Sequence, residues 1–489
     1  MGTISSAFSL ISGALTADQS ALNIIAGNVA NANTPGYTRE IPTWRENTPV
    51  TINGIACGVG VTETGAISLR DRVLLERLDQ QQQLASASSA RLDALNSVQA
   101  LFRPASGSAT SAGGDIGSDI TGFFSSFASL EANPTDNALR QQVLSKASTL
   151  AADISRTAAS LNQQRAAVDQ DAVSVVSQVN ALTTSIAQLN RQIQSASPST
   201  AGGALEDQRQ QDISQLSQLI GINQITNENN GLTITTTSGQ ALISHGASIN
   251  LTTGLVNGVT HFFVAGADIT LQLAGGGGKL GGYLTARDQD LPGVLGSLDQ
   301  LAFGITTEVN AQSKSGIDLT GNAGAALFSQ SPQQTGSAEA MSVIVANPNL
   351  IAAASVGQGS GDNSNATALA NLGSASVPSI LNGLTLPDGT VLVPGQTLLN
   401  GQTPSNYFSS LVTTLGSTIV QVQTENAGQN ASVTQLQTQN NALSAVNLND
   451  EASALTMLER SYQAASQVFA ILNTLMASTL NLGSQSNVA

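Results

Sequence analysis

The fold is decided by residues 4–29, which read ISSAFSLISGALTADQSALNIIAGNV. Large apolar side chains recur there at alternating steps of four and three residues. The repeat is interrupted once, at Asp18. This spacing predicts a helix with one narrow apolar stripe, as in a coiled coil. The stripe consists of Ile4, Phe8, Ile11, Leu15, Leu22, Ile25 and Val29.

A second stripe of the same kind lies in residues 455–476, LTMLERSYQAASQVFAILNTLM, and includes Leu455, Leu458, Tyr462, Phe469, Leu472 and Met476. A helix cannot bury such a stripe alone, so two stripes at opposite ends of the chain favour pairing. We therefore predict a discontinuous coiled-coil domain made of residues 1–35 and 447–489. One alternative stays open on the pattern alone: both segments could be ordinary core helices of a monomer.

The first helix is predicted to stop sharply in residues 31–37, NANTPGY. Pro35 cannot continue a helix, and Gly36 frees the backbone. Asn31 and Asn33 tolerate turn geometry. The chain should therefore leave the terminal helix through a tight turn.

Longer helical patterns lie inward from the ends. The best marked runs from Leu139 to Ile193 and predicts a rod of roughly 80 Å. Shorter apolar stripes begin at Leu74 and Leu291, and a helix with a weak apolar face begins near Ser405. These patterns indicate an elongated helical bundle, which we assign to residues 36–219, 282–340 and 404–446.

Residues 222–273 change character, because β-branched side chains alternate there between Gly and Asn. This pattern predicts hairpins. The GGGG run at residues 275–278 indicates a tight turn or hinge, and later Gly, Ser and Asn-rich stretches indicate loops with short strands. The predicted fold class is mainly α with a β-rich insertion (α+β), the outer insertions being residues 220–281 and 341–403.

Composition argues against several partners. The chain has 17 basic and 32 acidic residues, a net charge of −15, whereas nucleic-acid binding needs clustered Lys and Arg. The same acidity disfavours an anionic membrane surface, and no stretch approaches the roughly 20 apolar residues that span a bilayer. The first residues lack the basic n-region of a secretory signal. We predict no nucleic-acid and no membrane partner.

Residues for catalysis or metal binding are scarce. The only histidines, His245 and His261, lie in the β-like region. The sequence therefore has too few histidines to favour histidine-based acid–base catalysis or a histidine metal site. The GGGGK run ending at Lys279 lacks the spacing of a P-loop, and GIDLTGNAG at residues 316–324 lacks the carboxylate pattern of a calcium loop. We predict no catalytic residues, no metal and no cofactor.

The segment NVANANTPGYTRE, residues 28–40, resembles the N-terminal signature of bacterial flagellar rod, hook and hook-associated proteins. Three further blocks, residues 123–151, 281–324 and 446–476, are similar to the hook-associated proteins of the hook–filament junction. The resemblance touches most of the chain. It implies that the helix exit is fixed by the motif residues Asn28, Asn31, Thr34, Pro35, Gly36 and Tyr37.

The resemblance also implies a function. It is that of a secreted, non-catalytic structural subunit of the flagellum, outside the cell, that joins hook to filament. The implied partners are further copies of the chain, hook protein, a second junction protein toward the filament, and an export chaperone at the C-terminal helix. Export would use the flagellum's own type III-like apparatus, without a cleaved signal peptide, and the terminal segments would fold on assembly.

Two alternatives stay open. One is another axial component, such as a hook or distal rod subunit, which would share both chain ends; the block at residues 281–324 disfavours it. The other is a secreted cell-wall hydrolase carried on an axial scaffold. It would need a carboxylate pair in a cleft, which the sequence does not identify.

Overall fold

The computed structural model describes residues 2–52, 55–102, 115–195, 202–226, 231–244 and 246–485. For some of these it describes the backbone alone: residues 2–5, 50, 52, 55–57, 202, 226 and 480–485. The fold is 64% helical with small antiparallel sheets, which confirms the predicted class. It divides into unit 1, residues 1–85, 176–278 and 428–489, and unit 2, residues 86–175 and 279–427.

The described helices follow the apolar periodicities of the sequence. In chain order they are α1 (Gly2–Asn31), α2 (Arg72–Leu101), α3 (Ile116–Ala132), α4 (Asn137–Ser195), α5 (Gly202–Leu219), α6 (Thr270–Ala274), α7 (Gly278–Thr285), α8 (Leu291–Lys314), α9 (Ser337–Ala340), α10 (Ser364–Leu372), α11 (Pro404–Ser444) and α12 (Leu448–Gln485). A π-helical turn, Ala286–Asp290, joins α7 to α8.

The long helix α4 coincides with the predicted rod. It has 59 residues, about 88 Å at 1.5 Å per residue. It begins where Asp136 Oδ1 accepts a hydrogen bond from the backbone N–H of Ala138 at 2.7 Å, an N-cap that satisfies a donor with no partner inside the helix. Its buried residues recur at helical spacing, as in Val143, Leu150, Ile154 and Leu161.

The strands form small antiparallel sheets. They are β1 (Glu40–Glu46), β2 (Val50–Ile52), β3 (Ile55–Cys57), β4 (Val61–Ser68), β5 (Ile222–Thr226), β6 (Leu232–Thr236), β7 (Ala241–Ser244), β8 (Ala247–Ser248), β9 (Leu251–Val256), β10 (Val259–Val264), β11 (Ala267–Asp268), β12 (Gly316–Ile317) and β13 (Ala354–Ser355). Their orders are β1-β4, β2-β3, β5-β6-β7-β8, β11-β10-β9 and β12-β13.

The pairing of β1 with β4 was not anticipated from the sequence, which assigned residues 36–219 to long helices. Glu40 pairs with Ser68 and Glu46 with Val61, with a bulge between Thr43 and Trp44. The polypeptide that leaves α1 therefore enters a two-stranded ribbon before α2 begins.

The hairpins predicted for residues 222–273 are present as β5 to β11. The turn from β9 to β10 is Asn257–Gly258, and both residues have positive φ, 50° and 79°; these values fit the type I′ turn that Asn-Gly favours. The predicted glycine turn also forms. Gly278 has φ +69°, and a Cβ there would lie 2.4 Å from the backbone N of Ile220, so the chains approach too closely for a side chain.

Unit 2 contains an aromatic core. Phe123 is fully buried and contacts Phe124, Phe127 and Phe328 with ring centroids 5.0, 5.4 and 5.5 Å apart, all edge-on. Edge-to-face rings contribute more than their buried area alone. Apolar residues of α3, α4, α8, α10 and α11 complete the same cluster.

The segments before and after α9 are mostly loops held by side-chain hydrogen bonds. Asp318 Oδ1 accepts from the backbone N–H groups of Thr320 at 2.8 Å and Asn322 at 2.9 Å, so GIDLTGNAG folds as the turn preferred over a calcium loop. The short helix α10 lies within the predicted loop region 341–403.

Candidate assembly site at the chain ends

The two terminal helices, α1 and α12, pack against each other within unit 1. Phe8 and Phe469 mark the contact, with ring centroids 4.5 Å apart and planes tilted by 49°. Beside the predicted stripe, α1 buries the small residues Ala17 and Ala21. Small side chains at these positions allow close approach of a neighbouring element.

The predicted stripe residues differ in burial. Ile25 is buried, and Val29 and Met476 are exposed. Ile4 lies among the residues for which only the backbone is described. The remaining members are half-buried: Phe8, Ile11, Leu15, Leu22, Leu455, Leu458, Tyr462, Phe469 and Leu472. A stripe whose members are mostly half-buried is incompletely covered within one chain.

A second apolar stripe on α12 is exposed, and the sequence interpretation missed it. Its members are Met457 (67% exposed), Val468 (43%), Ile471 (59%) and Leu475 (49%). At 100° per residue they share one face of the helix, separate from the face that carries Leu458, Tyr462 and Phe469. The signal in the sequence is their spacing of eleven, three and four residues. α12 therefore carries two apolar faces.

The exit turn, residues 31–37, has the geometry that its residue types predict. The Asn31 side-chain amide donates to the carbonyl oxygen of Gly27 at 3.0 Å, and the backbone N–H of Thr34 donates to the carbonyl of Asn31 at 2.9 Å. The Thr34 hydroxyl also donates to the Asn31 side-chain oxygen at 3.2 Å. Gly36 has φ +77°, a conformation that disfavours any residue with a Cβ.

Asn28 organises the chain on both sides of the turn. Its Oδ1 accepts from the Tyr37 hydroxyl at 2.9 Å and the Glu40 backbone N–H at 3.0 Å. Its Nδ2 donates to the Glu40 carbonyl at 2.8 Å and to Glu451 Oε2 at 3.1 Å. Asn28 is 1% exposed, and these four bonds use the full capacity of its amide.

The chain beyond the turn is held on α5. Asp207 accepts from the Thr38 backbone N–H at 3.0 Å and the Thr38 hydroxyl at 2.6 Å, and it is also paired with Arg70. The Gln211 amide donates to the carbonyl of Pro35 at 2.5 Å. These contacts fix the path from α1 into β1.

Electrostatics around the turn are dominated by acids. Burial, followed by the nearby carboxylates of Glu40, Asp207 and Glu451, raises the pKa of Tyr37 to about 12. Tyr37 is therefore a neutral hydrogen-bond donor to Asn28 at every physiological pH. Burial, followed by Asp207, also raises the pKa of Glu40.

The structure thus brings the motif residues together and adds partners that the sequence interpretation did not name: Arg39, Asp207, Gln211 and Glu451. Asp207 lies 169 positions from Thr38, and Glu451 lies 423 positions from Asn28. No local pattern in one sequence reports such distant pairing. Thr34 and Asn31 act locally, within the turn.

The described residues hold no group of three or more His, Cys, Asp or Glu side chains arranged to bind a metal ion. His261 pairs with Asp268 at 2.7 Å on a partly exposed strand, and His245 lies outside the described residues. Within the described part of the chain, no helix combines the length and apolar character needed to cross a bilayer.

Comparisons with known proteins agree with these features. Residues 11–38, which contain much of α1 and the exit turn, match a family model described as Flagella basal body rod protein. Residues 107–328 match one described as Flagellar hook-associated protein FlgK helical domain. Flagellar hook-associated protein 1 of Escherichia coli (strain K12) is 25% identical, over 96% of this chain and 98% of that protein. Over most of its length the chain is thus similar to flagellar hook-associated protein 1.

The similarity extends across distant members of the hook-associated protein 1 family. The Bacillus subtilis (strain 168) protein of that name is 24% identical over 96% of each chain. The solved flagellar hook junction protein FlgK from Burkholderia pseudomallei shares the fold, with a TM-score of 0.61 and 19% identity over 74% of this chain and 99% of that one. These relatives make the chain similar to known flagellar hook-associated proteins along most of its length.

Proposed function

We propose that this chain is a structural subunit that joins the flagellar hook to the filament and acts as a non-catalytic adaptor. Two relatives named flagellar hook-associated protein 1 align with 96% of it. The observation that carries the proposal is the pair of apolar faces on α12, one against α1 and one exposed.

The exposed face supplies binding energy for assembly. Burying a Leu, Ile or Met side chain contributes ~1.5–3 kcal/mol, and the exposed stripe on α12 offers several such side chains to each neighbour. Contiguous exposed apolar residues on one helix mark an interaction surface. We propose that this face meets other copies of the chain in a helical assembly, and that the assembly contacts hook protein on one side and a second junction protein on the other.

The site comprises α1, α12 and the exit turn in this proposal. The stripe residues of both helices supply the apolar contacts, and Asn28, Asn31, Thr34, Pro35, Gly36 and Tyr37 set the direction in which the chain leaves the pair. We further propose an inner coiled coil of residues 1–35 and 447–489, a middle part of residues 36–219, 282–340 and 404–446, and outer insertions at residues 220–281 and 341–403.

Export is the second part of the proposal. The subunit leaves the cell through the flagellum's own type III-like apparatus without a cleaved signal peptide, and an export chaperone holds α12 beforehand. Such a chaperone has a physical task here, because an exposed face bearing Val468, Ile471 and Leu475 would otherwise bind other apolar surfaces. To test this part, the wild-type chain and a Leu475→Asp variant are purified from cells, and the proteins that co-purify with each are compared. A chaperone that holds α12 should co-purify with the wild type and not with the variant.

A deletion strain tests the junction role directly. Electron microscopy should show cells with complete hooks and no filaments, and filament protein should accumulate in the medium. Wild-type protein supplied in trans should restore filaments. Loss of the hook itself would instead identify a hook or rod subunit.

An enzymatic role is tested separately. Purified protein incubated with peptidoglycan should release no soluble fragments, whereas a hydrolase carried on an axial scaffold would release them. Release of fragments that is abolished by replacing a single carboxylate would contradict the non-catalytic proposal.

A further inference from the structure

Glu451 lies at the point where the C-terminal helix meets the exit turn. It belongs to the first turn of α12, and its side chain is 1% exposed. Oε2 accepts from Asn28 Nδ2 at 3.1 Å, and Oε1 accepts from Arg39 Nε at 2.6 Å. One carboxylate therefore joins the end of α1, the start of α12 and the chain just beyond the turn.

A second contact brings the junction between α11 and α12 to the same place. The backbone N–H of Arg39 donates to the carbonyl of Ser444, the last residue of α11, at 2.9 Å. Arg39 thus binds the C-terminal part of the chain with its backbone and with its side chain. Both bonds require residues 444–451 to be in place.

The contact between Asn28 and Glu451 matters for stability because the Asn28 amide is buried. With α12 absent, one Nδ2 hydrogen of Asn28 would lose its acceptor while its other three bonds, all to Tyr37 and Glu40, remained. A buried polar group without a partner is unfavourable, and a buried carboxylate without its cationic partner is more so. The turn and the helix therefore each complete the hydrogen bonding of the other.

We propose that Glu451 couples the seating of α12 to the closure of the exit turn, so that the two order as one cooperative unit. The inference rests on the proposed function for its role. A subunit whose α12 is not packed in place also has a less ordered exit turn. The chain then leaves α1 in the wrong direction, and the middle part is misplaced. Coupling between two sites is reciprocal, so weakening the turn loosens α12 to the same degree.

Hydrogen exchange on the full-length chain tests the coupling, measured on the isolated chain and on the chain incorporated into flagella, because the terminal segments are expected to fold on assembly. The readout is the protection of amides in residues 36–40 and, separately, in residues 448–460. In the wild type both segments should show matched protection. Glu451→Ala should lower protection about tenfold in both, because about 1.4 kcal/mol of interaction corresponds to that factor. Arg39→Ala should lower both segments in the same way.

Asp450→Asn is the matched control. Asp450 occupies the same first turn of α12 and carries the same charge, but its side chain is exposed. It should change protection of the exit turn less than twofold. A double-mutant cycle of Arg39→Ala with Glu451→Ala should be non-additive, since the two side chains share one bond.

Three results would overturn the coupling. One is a turn that stays protected in Glu451→Ala while α12 loses protection, which would make Glu451 a local helix stabiliser only. The others are a protected turn in a wild-type chain whose α12 exchanges freely, and an additive double-mutant cycle. Because the readout is local amide protection and not filament growth, its failure would leave the junction role, tested by the deletion strain, standing.

Discussion

The aromatic core of unit 2 and the terminal helix pair of unit 1 differ in how completely each buries its apolar side chains within one chain. Phe123 is completely buried among other Phe rings, and the cluster around it is supplied by one chain. Phe8 and Phe469 also contact each other, with tilted rings, but both rings are half-buried, and an apolar face of α12 lies exposed beside them.

The difference shows where each region obtains its stability. Burial of apolar surface is the main favourable contribution to folding and to association alike. Unit 2 obtains that contribution from its own chain, whereas the helix pair has apolar surface still to cover. In the proposed function, the chain folds one part alone and completes the burial of the other part against neighbouring copies.

The largest expected effect is on assembly. Leu472→Asp places a charge in the stripe that faces α1, and we expect complete loss of incorporation into flagella while unit 2 stays folded. Gln463→Asp adds the same charge on the polar face of α12 and should assemble normally. Immunoblots of purified flagella, with circular dichroism of the soluble protein, make the comparison. Normal junctions with Leu472→Asp would refute the interface.

The reverse pattern is expected in unit 2. Phe123→Ala removes a buried ring and should lower the free energy of unfolding by ~3–5 kcal/mol. Phe469→Ala, which removes a half-buried ring from the helix pair, should lower it by much less in the isolated chain and yet impair assembly. Urea denaturation of both variants measures this. Equal losses in the isolated chain would erase the distinction between the two regions.

A buried acid in unit 2, Glu308, should make the stability of the folded chain depend on pH. Burial raises the pKa of Glu308 from 4.5 to about 8. Between these values the folded state keeps a proton that the unfolded state has lost, so stability falls as pH rises, by up to about 1.4 kcal/mol per pH unit. Glu308→Gln should flatten this decline. Denaturation curves at pH 5 and pH 8 test it, and parallel pH dependence in both proteins would contradict it.

The smallest expected effect comes from glycine substitutions, which we compare between the exit turn and the helix α1 that precedes it. Gly36→Ala forces a Cβ onto a residue with φ +77° and against the Gln211 side chain, and should destabilise the turn by roughly 1–2 kcal/mol. Gly27→Ala, within α1 and with open space around the added Cβ, should be neutral or stabilise by up to about 1 kcal/mol. Hydrogen exchange of residues 28–40 distinguishes the two. Equal effects would remove the conformational explanation.

Much of the helical fold could be predicted because its information is local. The pattern from Leu139 to Ile193 predicted α4 nearly to its ends, and Pro35 with Gly36 predicted the exit turn. β1 was missed because EIPTWRE contains a proline and three charges, and its pairing with β4 depends on a partner about twenty residues away in sequence.

The candidate site was predictable only in part. The stripes included Phe8 and Phe469, which contact each other between α1 and α12, since helical periodicity is visible in each segment separately. The partners of the motif were not predictable, because Thr38 with Asp207 and Asn28 with Glu451 are brought together by the tertiary fold. The exposed face of α12 was overlooked because its residues are interleaved with those of the first stripe.

The pairing of α1 with α12 also has a consequence for synthesis. The ribosome makes Phe8 near the start and Phe469 near the end, so the contact between these rings forms only after almost all of the chain exists. A product released early, before residue 451, lacks the carboxylate that Asn28 and Arg39 bind. Only products that extend past residue 469 can form both contacts, so shorter products lack the site that we propose for assembly.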